Sequence, residues 1–243
     1  MFKKHKILIQ YGSMKIKLQF KGVTMFSKTD IDTYIPGKII CVGMNYGSHV
    51  KEQNGRFPEN PVLFSKARSC IIKNGEYIIS PPEVKELDYE VELAVIIGKK
   101  MKDISEDRVT DYIYGYTIMN DITARDIQKN EQPWFRSKSF DTFGPIGPAI
   151  VDKDIIDDPQ NLNLKSYVNG EIRQNGNTSG MIFGVYKLIS YISRSITLEA
   201  GDLISTGTPA GVGIFMKEKK ILKPGDTVIC EIEKIGRLEN KIA

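Results

Sequence analysis

Two glutamates, Glu90 and Glu92, flank the start of an apolar run and raise the first chemical question of the sequence. Residues 91 to 97 hold five β-branched or leucine side chains, one alanine and one glutamate, a pattern that predicts a strand buried on both faces. Side chains alternate along a strand, so both carboxylates point to one face. Two carboxylates about 6 to 7 Å apart on a dry face repel each other, and the arrangement requires a cation.

Asp121 follows the apolar segment YGYTIMN, 29 residues after Glu92, and offers a third carboxylate. Three carboxylate oxygens are typical ligands of Mg²⁺ or Mn²⁺. Zinc would favour histidine or thiolate ligands, and His5 and His49 are the two histidines of the chain. In the alternative interpretation, the E-x-E pair lines the wet face of an antiparallel strand.

His49 and Glu52 are three residues apart in a segment that predicts a short helix, so their side chains share a helix face. A carboxylate that accepts one imidazole N–H fixes the tautomer and makes the other ring nitrogen a better base. The pair is therefore a candidate for acid–base catalysis. An ordinary exposed helix pair is the alternative.

A second group of candidates lies after Asp121. Arg125 and Gln128 are also three residues apart, and arginine offers a planar fork to a substrate carboxylate. Asp126 could instead hold Arg125 in a structural ion pair. Lys138 could polarise a carbonyl group, or it could be one of many surface lysines.

The segment STGTPAGVG, residues 205 to 213, resembles a phosphate-binding loop only superficially, because it lacks the G-K-[ST] ending and a surrounding βαβ unit. Nucleotide binding is therefore excluded. Thr206, Gly207 and Thr208 can still offer hydroxyl and N–H groups to a carboxylate.

The elements that must position these residues form a mixed pattern. Asn169-Gly170 between alternating segments predicts a hairpin, and Asn45 is the candidate N-cap of the helix that carries His49. Strands are predicted at 37–46, 62–66, 87–97 and 114–121. Helices are predicted at 46–53, from Ser105, within 123–131, and around Val185, Leu188, Ile189 and Ile192. Short strands return in the C-terminal third, so the predicted class is α+β, dominated by β-structure.

The length of 243 residues suits one large domain with a small appendage. We place a strand-rich N-terminal appendage at 1–36 and the main domain at 37–243, with a seam near YIPGK. The net charge of +4 comes from dispersed lysines, and no basic face or recognition motif indicates nucleic-acid binding.

The N-terminal apolar run is too short for a signal peptide or a membrane span, and three widely spaced cysteines suit a reducing cytoplasm. We expect a cytoplasmic protein without membrane partners. Met14 is a possible alternative start.

Several motifs, taken in order, resemble the fumarylacetoacetate hydrolase family over about residues 38 to 235. They are CVGMNYGSHVKE, PVLFSKARS, LDYEVELAVIIGK, GYTIMNDITARDIQ, SKSFDTFGPIGP, VNGEIRQNGNTSGMIF and LEAGDLISTGTPAGVG. The H-x-x-E motif in a short chain looks most like the acylpyruvase and oxaloacetate-processing branch.

The resemblance implies a rolled, mixed β-sandwich, a homodimer, and Mg²⁺ or Mn²⁺ on Glu90, Glu92 and Asp121. It also implies a catalytic group and a set of substrate contacts, which are His49, Glu52 and Lys138 for catalysis and Arg125, Gln128 and Thr208 for substrate.

The implied activity converts small 2-oxo acids through a metal-stabilised enolate, by C–C hydrolysis of acylpyruvates or by decarboxylation or tautomerisation of oxaloacetate. The alternatives are a 2-hydroxyhepta-2,4-diene-1,7-dioate isomerase or decarboxylase of aromatic catabolism, and a non-catalytic metal-dependent binding protein.

Overall fold

The fold is built mainly from short strands. A computed structural model describes residues 7–11, 14–18 and 28–243. Within these ranges the strands are β1 (Ile7–Tyr11), β2 (Met14–Leu18), β3 (Ile39–Gly43), β4 (Val62–Ser65), β5 (Ile71–Ile72), β6 (Tyr77–Ile78), β7 (Leu87–Asp88), β8 (Val91–Ile97), β9 (Ile113–Asn120), β10 (Thr123–Ala124), β11 (Gly144–Asp152), β12 (Asn163–Val168), β13 (Glu171–Asn177), β14 (Leu203–Ser205), β15 (Thr227–Ile232) and β16 (Gly236–Ile242).

Helices are few and short in the same ranges. The α-helices are α1 (Lys28–Thr33), α2 (Gly47–Glu52), α3 (Arg125–Asn130), α4 (Phe135–Lys138) and α5 (Val185–Ser195). The 3₁₀ turns are Arg68–Cys70, Glu106–Tyr112, Lys153–Ile155, Thr178–Gly180 and Gly213–Phe215. The predicted β-dominated α+β class is confirmed.

Two curled mixed sheets form the body of the domain. The larger has the order β4-β3-β14-β8-β9-β11-β5, and the smaller has the order β13-β12-β15-β16-β6. Most neighbours are antiparallel, but β14 runs parallel to β3, β11 to β5, and β16 to β6. The central core contains side chains from both sheets together with the apolar face of α5.

Strand β8 lies in the middle of the larger sheet and is buried along its whole length. Leu93 and Val95 belong to the central core, whereas Ala94 and Ile96 belong to a second cluster that includes Ile31 of α1. The prediction of a strand buried on both faces is therefore confirmed. Apolar residues occupy both faces because each face is covered by other elements.

The predicted strand at 87–97 is interrupted, which corrects the expected boundary. β7 ends at Asp88 and pairs with β10, while β8 begins at Val91 and pairs with β9. Tyr89 and Glu90 lie between these two strands, where the pairing partner changes from β10 to β9. The Glu90 N–H donates to the side chain of Asn120 at 3.0 Å.

Asn45 is not the N-cap of α2, which is a second correction. Tyr46 precedes the helix, and no side chain caps it. The Asn45 amide instead accepts the Phe183 N–H at 2.9 Å and donates to the carbonyls of Phe183 and Thr206. Distant backbone groups satisfy this amide, so Asn45 anchors the start of the helix segment to the main domain.

The remaining predicted elements are present, with two differences. The strand predicted at 37–46 spans only Ile39–Gly43. Asn169 and Gly170 adopt the positive φ angles of 52° and 81° that a tight hairpin turn needs, and α5 presents the predicted apolar face to the core. The helix predicted from Ser105 is a 3₁₀ turn that begins at Glu106.

The N-terminal region is described in part. β1 and β2 form an antiparallel pair, and the Tyr34 hydroxyl donates to the Gly201 carbonyl at 3.0 Å. The other parts of the predicted appendage before Lys28 lie outside the described residues, and its boundary at residue 36 stays a prediction. No helix in the described ranges has the length and apolar character needed to cross a bilayer.

Candidate metal centre and active site

The three candidate carboxylates meet at one buried point. Glu92 lies on β8, Asp121 directly follows the adjacent strand β9, and the Asp121 N–H donates to the Glu90 carbonyl at 2.9 Å. One ligand atom from each of the three side chains lies within 4.8 Å of the other two. All three residues are buried, so antiparallel pairing of two core strands creates a compact acidic group.

Two buried lysines balance part of this charge. The Lys138 ammonium group lies 2.7 Å from both the Glu90 and the Asp121 carboxylates. Lys66 donates to Asp121 at 2.6 Å and to the Ile122 carbonyl at 3.2 Å. Burial opposes the charged form of Lys138, but Asp121 and Glu90 outweigh it and raise the pKa of that ammonium group.

The charges of Glu90 and Glu92 are compensated unequally. Burial opposes the ionisation of Glu90, but Lys138 and Arg125 outweigh it and lower the pKa of Glu90. Burial, Asp121 and Glu90 together raise the pKa of Glu92. In the described part of the chain, Glu92 accepts hydrogen bonds from Ser205 and the Gly207 N–H and takes part in no ion pair.

This donor set fits a hard divalent cation. Three buried carboxylates converge, one of them has no cationic partner among the described residues, and the group contains no histidine or thiolate ligand. A divalent ion would supply the missing positive charge. The acidic group is therefore a candidate metal centre.

The predicted acid–base pair is formed as well. His49 Nδ1 lies 2.6 Å from Glu52 Oε1, and both side chains belong to α2. The Gly211 N–H donates to the second oxygen of Glu52 at 2.8 Å. With Glu52 accepting the Nδ1 proton, the other ring nitrogen of His49 is left to exchange protons.

A cavity of about 250 Å³ lies between His49 of the acid–base pair and two carboxylates of the metal centre, whereas Glu52 and Asp121 do not line it. His49, Glu90 and Glu92 line it together. Of the other predicted site residues, it is also lined by Arg125, Gln128, Lys138 and Thr208. The structure therefore brings distant candidates into one space, and their catalytic and binding roles stay predictions.

Arg125 is occupied by the carboxylates of its own chain. Its guanidinium group donates to Asp88 at 2.9 Å, to Glu90 at 2.6 Å and to Gln128 at 3.0 Å. The alternative ion pair between Arg125 and Asp126 is not formed, because the Asp126 carboxylate accepts backbone N–H groups of the preceding loop. Arg125 also lines the cavity, and a substrate would contact it beside these bonds.

The turn that contains Thr208 mainly holds β8. Thr206 donates to the Leu93 carbonyl at 2.8 Å, and Thr208 donates to the Val91 carbonyl at 2.9 Å. The Gly207 N–H, expected to be available for a substrate carboxylate, binds Glu92 instead. These bonds fix Glu92 in the site.

Sequence reasoning missed several residues that shape the site. Asp88 pairs with Arg125, Lys66 pairs with Asp121, and Phe215 contacts the His49 ring. Acids at 88, 90 and 92 repeat every second residue, which was an available signal for Asp88. No local pattern distinguishes Lys66 or Phe215.

The chain matches a model of a known family over most of its length. The family is described as fumarylacetoacetate (FAA) hydrolase C-terminal, and the match covers residues 38–243. The match therefore includes every residue of the candidate metal centre and of the acid–base pair.

An individual relative and a solved structure are also similar to this chain over most of its length. The mitochondrial oxaloacetate tautomerase Fahd2a of Rattus norvegicus is 51% identical over 85% of this chain and 66% of its own length. The fumarylacetoacetate hydrolase structure from Exiguobacterium antarcticum has a TM-score of 0.81 and 41% identity over 94% of this chain and 80% of that one.

A further similar structure carries another enzyme name. The 2-hydroxyhepta-2,4-diene-1,7-dioate isomerase of Mycobacterium marinum has a TM-score of 0.77 and 40% identity over 86% of this chain and 75% of that one. The Exiguobacterium antarcticum and Mycobacterium marinum structures together confirm the predicted rolled β-sandwich fold.

Proposed function

Because the chain belongs to the fumarylacetoacetate hydrolase family, we propose that it is a divalent-metal-dependent enzyme acting on small 2-oxo acids. Relatives of this chain are named as a hydrolase, a tautomerase and an isomerase. One enolate intermediate is common to the reactions considered above, so the choice among them depends on what the chain's own residues do with a proton.

We propose that keto–enol tautomerisation of oxaloacetate is the main reaction. In the enol-to-keto direction, His49 Nε2 would deliver a proton to the carbon next to the keto group while the enol hydroxyl releases its proton to solvent, and Glu52 would hold the proton on Nδ1 throughout. This arrangement needs no water at the reacting carbon. The similarity to a protein named oxaloacetate tautomerase supports the choice, although this chain spans only about two thirds of that protein.

Glu90, Glu92 and Asp121 would hold the metal ion, which we propose to be Mg²⁺ or Mn²⁺. Bound there, the ion would act as a Lewis acid that neutralises charge developing on the enolate oxygen. Lys138 would add positive charge beside the same oxygen. Arg125, Gln128 and Thr208 would orient the substrate at the cavity wall.

The observation that carries this proposal is the cavity that His49, Glu90 and Glu92 line together. The test follows the absorbance of enol-oxaloacetate in the presence of Mg²⁺ or Mn²⁺. We expect the purified protein to speed its conversion to the keto form and to lose that activity in excess chelator. Activity that persists in chelator would contradict the metal-dependent mechanism.

Isomerisation of a longer dienedioate is a second candidate, favoured by the similarity to the isomerase structure. Hydrolysis of acylpyruvates and decarboxylation of oxaloacetate are further outcomes of the same substrate comparison. Acetylpyruvate, oxaloacetate and a dienedioate should be compared at equal concentration. Inactivity with all three would overturn the proposed substrate class.

A further inference from the structure

One segment of the chain contacts both members of the acid–base pair. In residues 210–215, here called the wall segment, the Gly211 N–H donates to Glu52 at 2.8 Å. Four residues later, the Phe215 ring meets the His49 ring edge to face, with 6.2 Å between ring centroids and an angle of 61° between planes. The wall segment therefore fixes the carboxylate and borders the imidazole.

Hydrogen bonds hold the backbone of residues 213 and 214 in the wall segment. Asp88 accepts the N–H groups of Gly213 at 2.7 Å and Ile214 at 3.1 Å, and the Ile214 side chain is buried. A Cβ atom at position 213 would collide with the Lys220 carbonyl and the Asp88 carboxylate. The backbone that carries Phe215 is thus set by the same aspartate that pairs with Arg125.

The Phe215 side chain is partly exposed to solvent, although hydrogen bonds fix the backbone of the two residues before it. The residue is 40% exposed and lines the cavity beside His49. Several other large apolar side chains of the described residues are equally exposed, so the position of Phe215 at the cavity beside His49, and not its exposure, is what distinguishes it.

The cavity wall has a charged part and an apolar part. The charged lining residues are Glu90, Glu92, Arg125, Lys129 and Lys138, and the apolar ones are Val42, Met44, Phe64, Trp134 and Phe215. Phe64 stacks edge-on against Trp134 with 5.6 Å between centroids and also lies below the Lys138 ammonium. Phe215 is the aromatic side chain of this wall that contacts the proton-transferring residue.

We propose that Phe215 is a specificity-determining residue that limits the length of the substrate beyond its reacting carbon. The inference rests on the proposed function. The carboxylate and keto oxygens of a 2-oxo acid would lie at the charged part of the cavity. The alkyl chain of an acylpyruvate would then extend toward the apolar wall, whereas the second carboxylate of oxaloacetate would lie toward the cationic lining residues Arg125 and Lys129. A cavity of about 250 Å³ is smaller than the ~300–1,000 Å³ of typical sites for drug-sized ligands.

The test compares oxaloacetate with straight-chain acylpyruvates of increasing length, from acetylpyruvate to hexanoylpyruvate, and measures kcat/KM for enolisation. In Phe215→Ala, we expect the ratio of kcat/KM for the longest acid to that for oxaloacetate to rise about tenfold or more. One methylene group in an apolar pocket commonly changes kcat/KM by about 10- to 200-fold.

Ile155 provides a matched control. It is also 40% exposed and also ends a 3₁₀ turn, Lys153–Ile155, but it does not line the cavity. The Ile155→Ala variant should keep the selectivity of the wild-type protein. Phe215→Leu, which retains an apolar side chain of smaller reach, should give an intermediate ratio.

A second readout does not depend on turnover. The chain has two histidines, so the His49 imidazole signals can be assigned in an NMR spectrum of the metal-free protein by comparison with His49→Gln. Loss of the Phe215 ring current should shift these signals in Phe215→Ala and leave them unchanged in Ile155→Ala.

The outcomes separate the two proposals. An active wild-type protein with an unchanged length ratio in Phe215→Ala would overturn the role of Phe215 alone. A wild-type protein inactive on every 2-oxo acid would overturn the proposed function and this inference with it. His49 signals that do not respond to Phe215→Ala would contradict the ring contact on which the inference depends.

Discussion

At the scale of single residues, the side chains proposed to bind the metal ion differ from those proposed to transfer protons. Glu52 is bonded to His49 and to the Gly211 backbone, and it is not one of the three carboxylates of the metal centre. A change at Glu52 should therefore affect proton transfer without removing a metal ligand.

Replacing Glu52 with glutamine should reduce turnover by about 10²- to 10⁴-fold, because the His49 tautomer and its basicity would no longer be fixed by a carboxylate. Metal affinity, measured by isothermal titration calorimetry with Mn²⁺, should remain close to that of the wild-type protein. Glu59→Gln changes an exposed acid and serves as the control. Unchanged turnover in Glu52→Gln would show that the pair is not catalytic.

Lys66 gives a prediction about electrostatics. Its side chain is fully buried against Asp121, and removing one partner of a buried ion pair typically costs about 3–5 kcal/mol. In chelator, Lys66→Met should lower the free energy of unfolding by about 3 kcal/mol, measured by urea denaturation. Mg²⁺ should recover part of the loss, because it adds positive charge beside the same carboxylate.

The control for this change is Lys153→Met, which removes an exposed pair with Asp154. Exposed pairs contribute about 0–1 kcal/mol, so its stability should barely change. Equal stability of Lys66→Met and wild type in chelator would show that Lys66 does not balance the acidic group.

At the scale of elements, a helix of only six residues carries the acid–base pair, and tertiary contacts must hold it. Asn45 supplies such contacts at the helix entrance through Phe183 and Thr206. The sequence places this helix correctly but assigns Asn45 to capping, because the local pattern of a cap does not reveal partners more than 130 residues away.

Asn45→Ala should destabilise the protein by at least about 2 kcal/mol, because it leaves buried backbone groups of Phe183 and Thr206 without partners. Thermal or urea denaturation measures this change. Asn175→Ala, at an exposed position of β13, should stay within about 0.5 kcal/mol of wild type. Similar stability of both variants would refute the anchoring role of Asn45.

At the scale of the whole molecule, much of the site follows from sequence because strand patterns fix the faces of β8 and β9. Glu92 and Asp121 come together once these two strands pair. The break between β7 and β8 was not predictable, because the apolar pattern continues while the pairing partner changes. Lys66 and Phe215 reach the site only through the order of strands and loops in three dimensions.

The central claim is that Glu90, Glu92 and Asp121 together bind one divalent metal ion. Crystals grown with Mn²⁺ and measured for anomalous scattering test it most directly. We predict a single strong anomalous peak bonded to one or more oxygens from each of the three carboxylates. A map without a peak at this position, at saturating Mn²⁺, would contradict the account.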